Sequence, residues 1–192
     1  MSWLILGLLL FLGTHSVRIF AEGARGRFIA QRGEATWKGL FTLLSIAGFA
    51  LIIWGYGLAR QQPMVLWPAQ AWARHLASLL TLAAFILLAA AYVPSNHLKA
   101  SLHHPMLLGV KAWALAHLLA NNTLADLVLF GSFLVWALLD RRAARSRDRA
   151  NQTVFGAGTM SGTALTVVVG VAAWALFAFW AHAAWIGVRP FA

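Results

Sequence analysis

Six long apolar stretches constrain the fold of this chain more than any other feature of its sequence. They lie near residues 2–21, 37–58, 71–92, 105–121, 123–139 and 160–186. An α-helix needs about 17–25 apolar residues to cross a bilayer core about 30 Å thick, and most of the stretches have that length. Long apolar runs without alternation favour helices over a barrel. The sequence therefore predicts an all-α, polytopic transmembrane helical bundle of about six spans, built as a single domain over residues 1–192.

Basic residues predict the topology of these spans. Most Lys and Arg lie in the first and fifth connections between the stretches, Lys99 marks the third, Arg60 lies in the second and the fourth has no charge. Because basic loops stay on the cytoplasmic side, we expect the odd-numbered connections inside and both termini outside. This topology requires the first stretch to be a retained span, which its lack of a charged leading segment favours over a signal peptide.

The break between the fourth and fifth stretches is very short, at Asn121, Asn122 and Thr123. It predicts a tight helical hairpin in which Asn122 or Thr123 caps the fifth helix. Asp126 follows, and it is the one acidic residue that we expect inside a span.

The net charge of +10 raises the question of a nucleic-acid partner. The basic residues stand in short clusters between apolar runs rather than on one soluble face, so we expect no nucleic-acid binding. The densest cluster, DRRAARSRDR at residues 140–149, instead predicts an anchor against anionic membrane lipids.

The chain has no cysteine and only five acidic residues, which removes several kinds of site. Disulfides, iron–sulfur clusters and thiolate ligands are excluded, so a metal or haem must be held by nitrogen or oxygen. There is no HExxH motif and no close His pair with a carboxylate, so we expect no zinc or di-iron site. Hydrolase and nucleotide chemistry lack a nucleophile elbow, a phosphate loop or a dinucleotide motif.

Four of the seven histidines lie within or near the apolar stretches: His15, His75, His117 and His182. An ionisable group in hydrocarbon is costly enough to indicate a function by default. The alternative for any single one is an interhelical hydrogen bond or an interfacial anchor. Taken together they favour a cofactor, because neutral imidazole is a common ligand of haem and of transition metals.

Two cations and four tryptophans add to this pattern. Arg18 lies one turn after His15, where it can reach lipid phosphate or pair with a carboxylate of a cofactor or substrate. Lys111 lies near the middle of the fourth stretch and should face the protein interior or a cavity, although the sequence shows no partner for it. The deeper tryptophans either line a pocket for a flat cofactor or polyene or pack in the core: Trp113, Trp136, Trp174 and Trp180.

Two segments carry a resemblance to a known family. FLGTHSVR, near the start, and HHPMLLGVKAWALAHLLANNTLADLVLFGSFLVWALLDRR, across the middle, resemble the NnrU family of bacterial integral membrane proteins. The six-span layout without cysteine agrees, and the similarity covers nearly the whole chain. The family is related to the plant zeta-carotene isomerase, a haem b protein that isomerises a cis double bond of a carotenoid precursor. The resemblance implies a bacterial inner membrane location, a role in denitrification and a haem b cofactor.

The resemblance also implies roles for particular residues. His15 and His117 match the two histidines that look like axial haem ligands in the isomerase branch. His104 matches the histidine of an RHP signature in which His103 here replaces the arginine. Ala114 stands where the isomerase has a cysteine, which excludes a ligand exchange through a thiolate. These departures count against isomerase activity more than against haem binding.

The depths of the histidines leave a second axial pair open. At a helical rise of about 1.5 Å per residue, His15 falls about 6 Å to the cytoplasmic side of its midpoint and His117 about 6 Å to the outer side. His75 shares the outer side with His117, whereas His104 shares the inner side with His15. We expect His15 with His117 as the axial pair, and His75 with His117 is the rival.

The leading hypothesis is an NnrU-type inner-membrane protein that binds haem b through two histidines. It would act in nitrogen-oxide metabolism as a redox, nitric oxide-related or accessory factor. The alternatives are a haem-dependent cis–trans isomerase of a carotenoid-like polyene and a cofactor-free membrane accessory protein. Whether the protein is an enzyme or an oligomer stays open. The expected partners are membrane lipids, haem and either nitric oxide or a hydrophobic polyene.

Overall fold

The computed structural model describes residues 1–191, and most of them are helical. In this part of the chain the α-helices are α1 (Ser2–Phe20), α2 (Glu22–Arg32), α3 (Glu34–Ala59), α4 (Ala71–Tyr92), α5 (His97–Leu102), α6 (Pro105–Ala120), α7 (Leu124–Ala150), α8 (Met160–Leu176) and α9 (His182–Ile186). A π-helical turn, Phe177–Ala181, joins α8 to α9. The described residues form no β-strand, only two isolated bridges between loops.

Each of the six predicted stretches forms a helix, and the predicted all-α membrane bundle is confirmed. Four described segments are long and apolar enough to cross a membrane: Ser2–Phe20, Glu34–Ala59, Ala71–Tyr92 and Met160–Ile186. The predicted count of about six spans is higher than this. α6 has only 16 residues, because Pro105 starts it and Asn121 ends it. α7 continues into the DRRAARSRDR cluster, since Arg and Ala are good helix formers, and this brings charge into its second half.

The helices pack in an order that differs from their order along the chain. α1 packs against α3 and α7, α6 packs against α7 and α4, and α8 packs against α4. The order of neighbours is therefore α3, α1, α7, α6, α4 and α8. Residues on the two sides of α6 consequently meet different helices.

The odd-numbered connections lie at one end of the bundle. Nε2 of His104, just before α6, lies 2.6 Å from Oδ2 of Asp148 near the end of α7. Nη1 of Arg147 donates to the carbonyl oxygen of Arg18, near the end of α1, at 3.2 Å. These bonds join the segments that lead into the first, third and fifth connections. We call this end, which carries residues 140–149, the basic end.

The second and fourth connections meet at the opposite end. The backbone N–H of Leu66 donates to the carbonyl oxygen of Asn122 at 2.8 Å. Nη1 of Arg60 donates to the carbonyl oxygen of Ile186 at 2.9 Å, so the segment after α8 also reaches that end. The alternation of the connections is as predicted. Which side of a membrane each end faces stays a prediction.

α1 and α3 approach closely because glycines lie at their interface. A Cβ at Gly48 would lie 2.7 Å from the backbone nitrogen of Phe11, and a Cβ at Gly7 would lie 2.6 Å from the backbone nitrogen of Ile52. Distances this short leave no room for a methyl group. Lipid is as apolar as the side chains, so close backbone packing of this kind is a main source of helix association in membranes.

We expect Gly48→Ala to lower the free energy of unfolding by about 1–3 kcal/mol, because the methyl group forces α1 and α3 apart. Gly57→Ala on the same helix is the matched control, since a Cβ at Gly57 would meet no atom within 4 Å. Thermal unfolding of both variants in detergent measures the effect. Equal unfolding midpoints for the two variants would contradict this account of the interface.

A buried carboxylate joins α7 to α3. Thr123 caps α7 by accepting a bond from the backbone N–H of Asp126 at 3.3 Å, which confirms one of the two predicted caps. Asp126 Oδ2 in return accepts bonds from the backbone N–H and the hydroxyl of Thr123, at 3.1 and 2.5 Å. The hydroxyl of Tyr56 on α3 donates to Oδ1 of Asp126 at 2.5 Å. The carboxylate predicted inside a span therefore has a structural role.

Asp126→Ala should lower the free energy of unfolding by about 2–3 kcal/mol, because it leaves three donors without their acceptor. Tyr56→Phe should lower it by only about 1 kcal/mol, because it removes one donor and leaves the cap intact. Thermal or denaturant unfolding in detergent measures both. If Tyr56→Phe destabilised the protein as much as Asp126→Ala, the bonds between Asp126 and Thr123 would contribute nothing to stability, which contradicts this account.

Candidate functional site

His117 is held on α6 in a form that can bind a metal. Its Nδ1 lies 2.8 Å from the carbonyl oxygen of Trp113, one turn earlier, so Nδ1 carries the proton and donates it. The lone pair then lies on Nε2, as in most histidine ligands. Phe130 of α7 stacks on the imidazole with the ring centroids 4.5 Å apart. The half-buried ring lines a cavity.

The cavity has a volume of about 620 Å³ and lies between α4, α6 and the segment from α8 to residue 191. Its walls are mainly apolar and include Phe85, Trp113 and Phe177. Trp174 also lines it, and its Nε1 donates to Oγ1 of Thr81 at 3.1 Å, which holds the indole in the wall. Small-molecule and cofactor sites typically have volumes of about 300–1,000 Å³ and such walls. The cavity is therefore the candidate binding site.

A second histidine, His182 of α9, lines the same cavity. Its Nδ1 lies 2.7 Å from the carbonyl oxygen of Val188, so Nδ1 again donates and Nε2 keeps the lone pair. The π-helical turn Phe177–Ala181 directly precedes it, and such turns are frequent at functional sites.

The sequence identified His182 as a histidine near a span but assigned it to no pair. The π turn leaves no mark in the pattern of apolar residues. One signal was present: Gly187 ends α9 with a φ of 76°, a left-handed turn that favours glycine and reverses the chain. That turn lets the following residues fold back onto the cavity beside His182.

Two arginines, Arg74 of α4 and Arg189, also line the cavity. They add positive charge to an otherwise apolar wall at the end opposite the basic end. A ligand that is flat and apolar over most of its surface and carboxylated at one edge suits this distribution. The sequence alone did not single out either arginine, because an arginine at the edge of a span is commonly an interfacial anchor.

His15 lies elsewhere, between α1, α3 and α7. Its Nδ1 donates to the carbonyl oxygen of Phe11 at 2.8 Å, and Phe11 stacks on the imidazole with centroids 4.2 Å apart. Phe41 of α3 and Trp136 of α7 lie beside the ring at centroid distances of 4.9 and 6.1 Å. His15 has the same protonation pattern as His117 but does not line the cavity.

Aromatic side chains occupy the space between His15 and His117. The ring centroid of Phe133 on α7 lies 5.9 Å from that of Phe11, beside His15, and 5.5 Å from that of Trp113, beside His117. Over the described range, no Cα of α1 lies within 8 Å of a Cα of α6. The structure does not bring the two histidines to one cavity, and their pairing stays a prediction from the sequence.

The other site residues expected from the sequence also lie outside the cavity. His75 is exposed on α4 and does not line the cavity with His117. His104 is bonded to Asp148 at the basic end. Arg18 is exposed at the same end.

The sequence predicted that the four deeper tryptophans either line a cofactor pocket or pack in the core, and three of them do one or the other. Trp113 and Trp174 line the cavity, as a cofactor pocket requires. Trp136 packs beside His15, and its buried Nε1 has no hydrogen-bond partner among residues 1–191. Trp180 is 58% exposed and serves neither use.

The donor set determines which cofactor fits the cavity. In the part of the chain that the structure describes, no three His, Cys, Asp or Glu side chains cluster as a metal ion site would require. The cavity instead offers two imidazoles, apolar walls and a positively charged edge. Haem b requires axial nitrogens, apolar surroundings and partners for its propionates. The residues present therefore fit the cofactor that the resemblance implies.

Comparison with known proteins identifies the family. A family model described as "NnrU protein" matches residues 3–190, which include every residue that lines the cavity except Phe191. No curated protein and no solved structure matches the chain. This helical membrane protein therefore belongs to the NnrU family.

Proposed function

We propose that this NnrU-family protein binds haem b in the cavity between α4, α6 and α9, where His117 and His182 would hold it. The observation that carries the proposal is that both imidazoles line one cavity and each donates a hydrogen bond from Nδ1–H to a backbone carbonyl oxygen. A histidine that binds a metal through one ring nitrogen commonly donates a hydrogen bond from the other. That bond fixes the tautomer and the orientation of the ring. The proposed pair keeps His117 from the sequence prediction and replaces His15.

Each part of the cavity would have a defined task. The two backbone carbonyls leave Nε2 of each imidazole as the ligand atom, and Phe130 limits rotation of His117. Trp113 and Trp174 provide flat apolar surfaces that exclude water. Arg189, at the edge of the cavity, offers a guanidinium group to a carboxylate in a planar, bidentate geometry.

The two proposed ligands differ in how firmly the fold holds them. When bound, haem would supply one-electron redox chemistry and a coordination position for a small molecule such as nitric oxide. His117 lies in α6, which packs against α4 and α7. His182 lies on a five-residue helix between the π turn and Gly187. His182 is therefore the less firmly held of the two residues.

We further propose a role in nitrogen-oxide metabolism, as a redox, nitric oxide-related or accessory factor of the bacterial inner membrane. The support for this role is the family resemblance, since the family is named for denitrification. The four long apolar helices suit a membrane location. The concentration of arginines at the basic end favours a cytoplasmic position for that end.

The visible spectrum of the detergent-purified full-length protein, expressed with haem supplied, tests the cofactor. We expect a Soret band, with sharp peaks after dithionite reduction, in the wild-type protein. His117→Ala and His182→Ala should each lower the bound haem about tenfold or more, because each removes a residue that would hold the haem. His75→Ala is the matched control, since His75 lies on α4 but is exposed and does not line the cavity.

The same spectra separate the candidate pairs. If His15→Ala loses haem while His182→Ala keeps it, the pair predicted from the sequence binds the haem and the cavity does not. If His75→Ala loses haem while His182→Ala keeps it, the rival pair is correct. A colourless wild-type protein would contradict haem binding and favour a cofactor-free accessory protein.

A second candidate function is cis–trans isomerisation of a carotenoid-like polyene, favoured by the aromatic wall of the same cavity. A conjugated chain packs well against the faces of Trp and Phe. Product analysis after incubation of the haem-loaded protein with a cis-carotenoid tests this function. We expect turnover that falls about tenfold in Trp174→Ala while the Soret band remains. An isomer composition equal to that of a protein-free incubation would exclude this function.

A further inference from the structure

Three cations from α6 and α7 lie together toward the basic end. Lys111 is close enough to Arg141 and Arg145 for their charges to interact. The register of the two helices explains this proximity. His104 is bonded to Asp148. Lys111 follows His104 by seven residues, and Arg141 precedes Asp148 by seven. Because α6 and α7 are antiparallel, Lys111 and Arg141 both lie about 10 Å from the His104–Asp148 bond in the same direction along the helices.

No carboxylate neutralises this cluster within the described residues. Of the two acidic residues in the second half of α7, Asp140 pairs with Arg147 at 3.5 Å and Asp148 with His104 at 2.6 Å. The other three acidic residues are bonded elsewhere: Glu22 to Arg25, Glu34 to Lys38, and Asp126 to Tyr56. Lys111, which the sequence left without a partner, therefore has only like charges facing it from α7.

Arg141 also carries an unsatisfied buried donor. Its Nε is buried and has no hydrogen-bond partner in residues 1–191. Buried donors in proteins are nearly always bonded, and one that is not marks a place for a water or an ion. Arg145, one turn further along the same face of α7, is exposed, so the cluster is accessible from outside the bundle.

We propose that Lys111, Arg141 and Arg145 form a binding site for a phosphate group. A phosphate has several acceptor oxygens, so it accepts a bond from Nε of Arg141 and neutralises the repulsion among the three cations. Basic pockets between helices near a membrane surface are known sites for phospholipid head groups. The phosphate comes from an anionic phospholipid or from free phosphate, and the two sources are distinguished by experiment.

Thermal unfolding of the detergent-purified full-length protein measures binding. The probes are phosphatidylglycerol in the micelle, phosphatidylcholine in the micelle, and inorganic phosphate alone. We expect phosphatidylglycerol to raise the unfolding midpoint by about 3 °C or more over phosphatidylcholine, since a ligand of the folded state stabilises it. Lys111→Gln/Arg141→Gln should abolish this difference. Arg142→Gln/Arg149→Gln, which removes the same charge from exposed positions of α7, is the matched control and should keep it.

The outcomes distinguish a specific site formed by these three cations from a general attraction of the basic end to anionic molecules. A midpoint shift with inorganic phosphate alone that the Lys111→Gln/Arg141→Gln variant loses supports the site and identifies free phosphate as its source. An unchanged phosphatidylglycerol shift in that variant, or an equal loss in the control variant, overturns the proposal.

Native mass spectrometry of bound lipid gives a second measurement. Arg145→Gln changes only an exposed side chain, so this variant should fold and bind less phosphatidylglycerol than the wild-type protein. Lipid-free Lys111→Gln should unfold at the wild-type midpoint or above it, because it relieves repulsion. Equal lipid occupancy in Arg145→Gln and the wild-type protein would also overturn the proposal.

Discussion

The bilayer core contains no water, so every polar group in this bundle must find its partner within the chain. Hydroxyl groups do this locally, since Thr14, Ser45 and Ser132 each donate to the carbonyl oxygen four residues earlier. His15 and His117 place Nδ1 in the same way. The few polar atoms that this rule leaves without a partner therefore deserve a chemical explanation. Nε2 of His117 and Nε of Arg141 lie at the two proposed binding sites, whereas Nε1 of Trp136, which also lacks a partner in residues 1–191, lies at neither.

The two places differ in the charge that they accept. At the cavity, the unbonded atoms are the Nε2 atoms of two imidazoles beside aromatic walls, which suits a metal at the centre of a flat organic group. Between α6 and α7, the unbonded group is the permanently charged guanidinium of Arg141 beside Lys111. A group that cannot lose its charge needs an anion rather than a metal. The chemistry of the unsatisfied atom thus distinguishes the proposed cofactor site from the proposed phosphate site.

The sequence predicted how far along its helix each residue lies better than it predicted which helices that residue contacts. Apolar runs located the helices, and the depth calculation put His15 and His117 at different levels. In the structure His15 lies beside Trp136 and His117 beside Phe130, which are six residues apart on α7, a rise of about 9 Å. Because a regular helix rises by a constant distance per residue, the depth of a residue can be calculated from its number.

The side that each residue faces could not be predicted in this way, because it depends on packing among helices of similar composition. In the structure α7 lies between α1 and α6. No pattern in the sequence indicates this arrangement. The π turn also shifts His182 relative to the rest of its span. The pairing of His15 with His117 came from the family resemblance and stays a prediction, and Phe133 lies between their neighbouring rings.

The shortness of α6 accounts for both sites lying along it. Its 16 residues extend about 24 Å, less than a bilayer core of about 30 Å, so the lipid must thin or polar groups must reach its ends. Lys111 and His117 are six residues apart, which on a helix of about 100° per residue turns them about 120° away from each other. Lys111 consequently meets the arginines of α7 while His117 lines the cavity with α4 and α9. In a longer helix that spanned the whole core, Lys111 and His117 would lie farther from water than they do in α6.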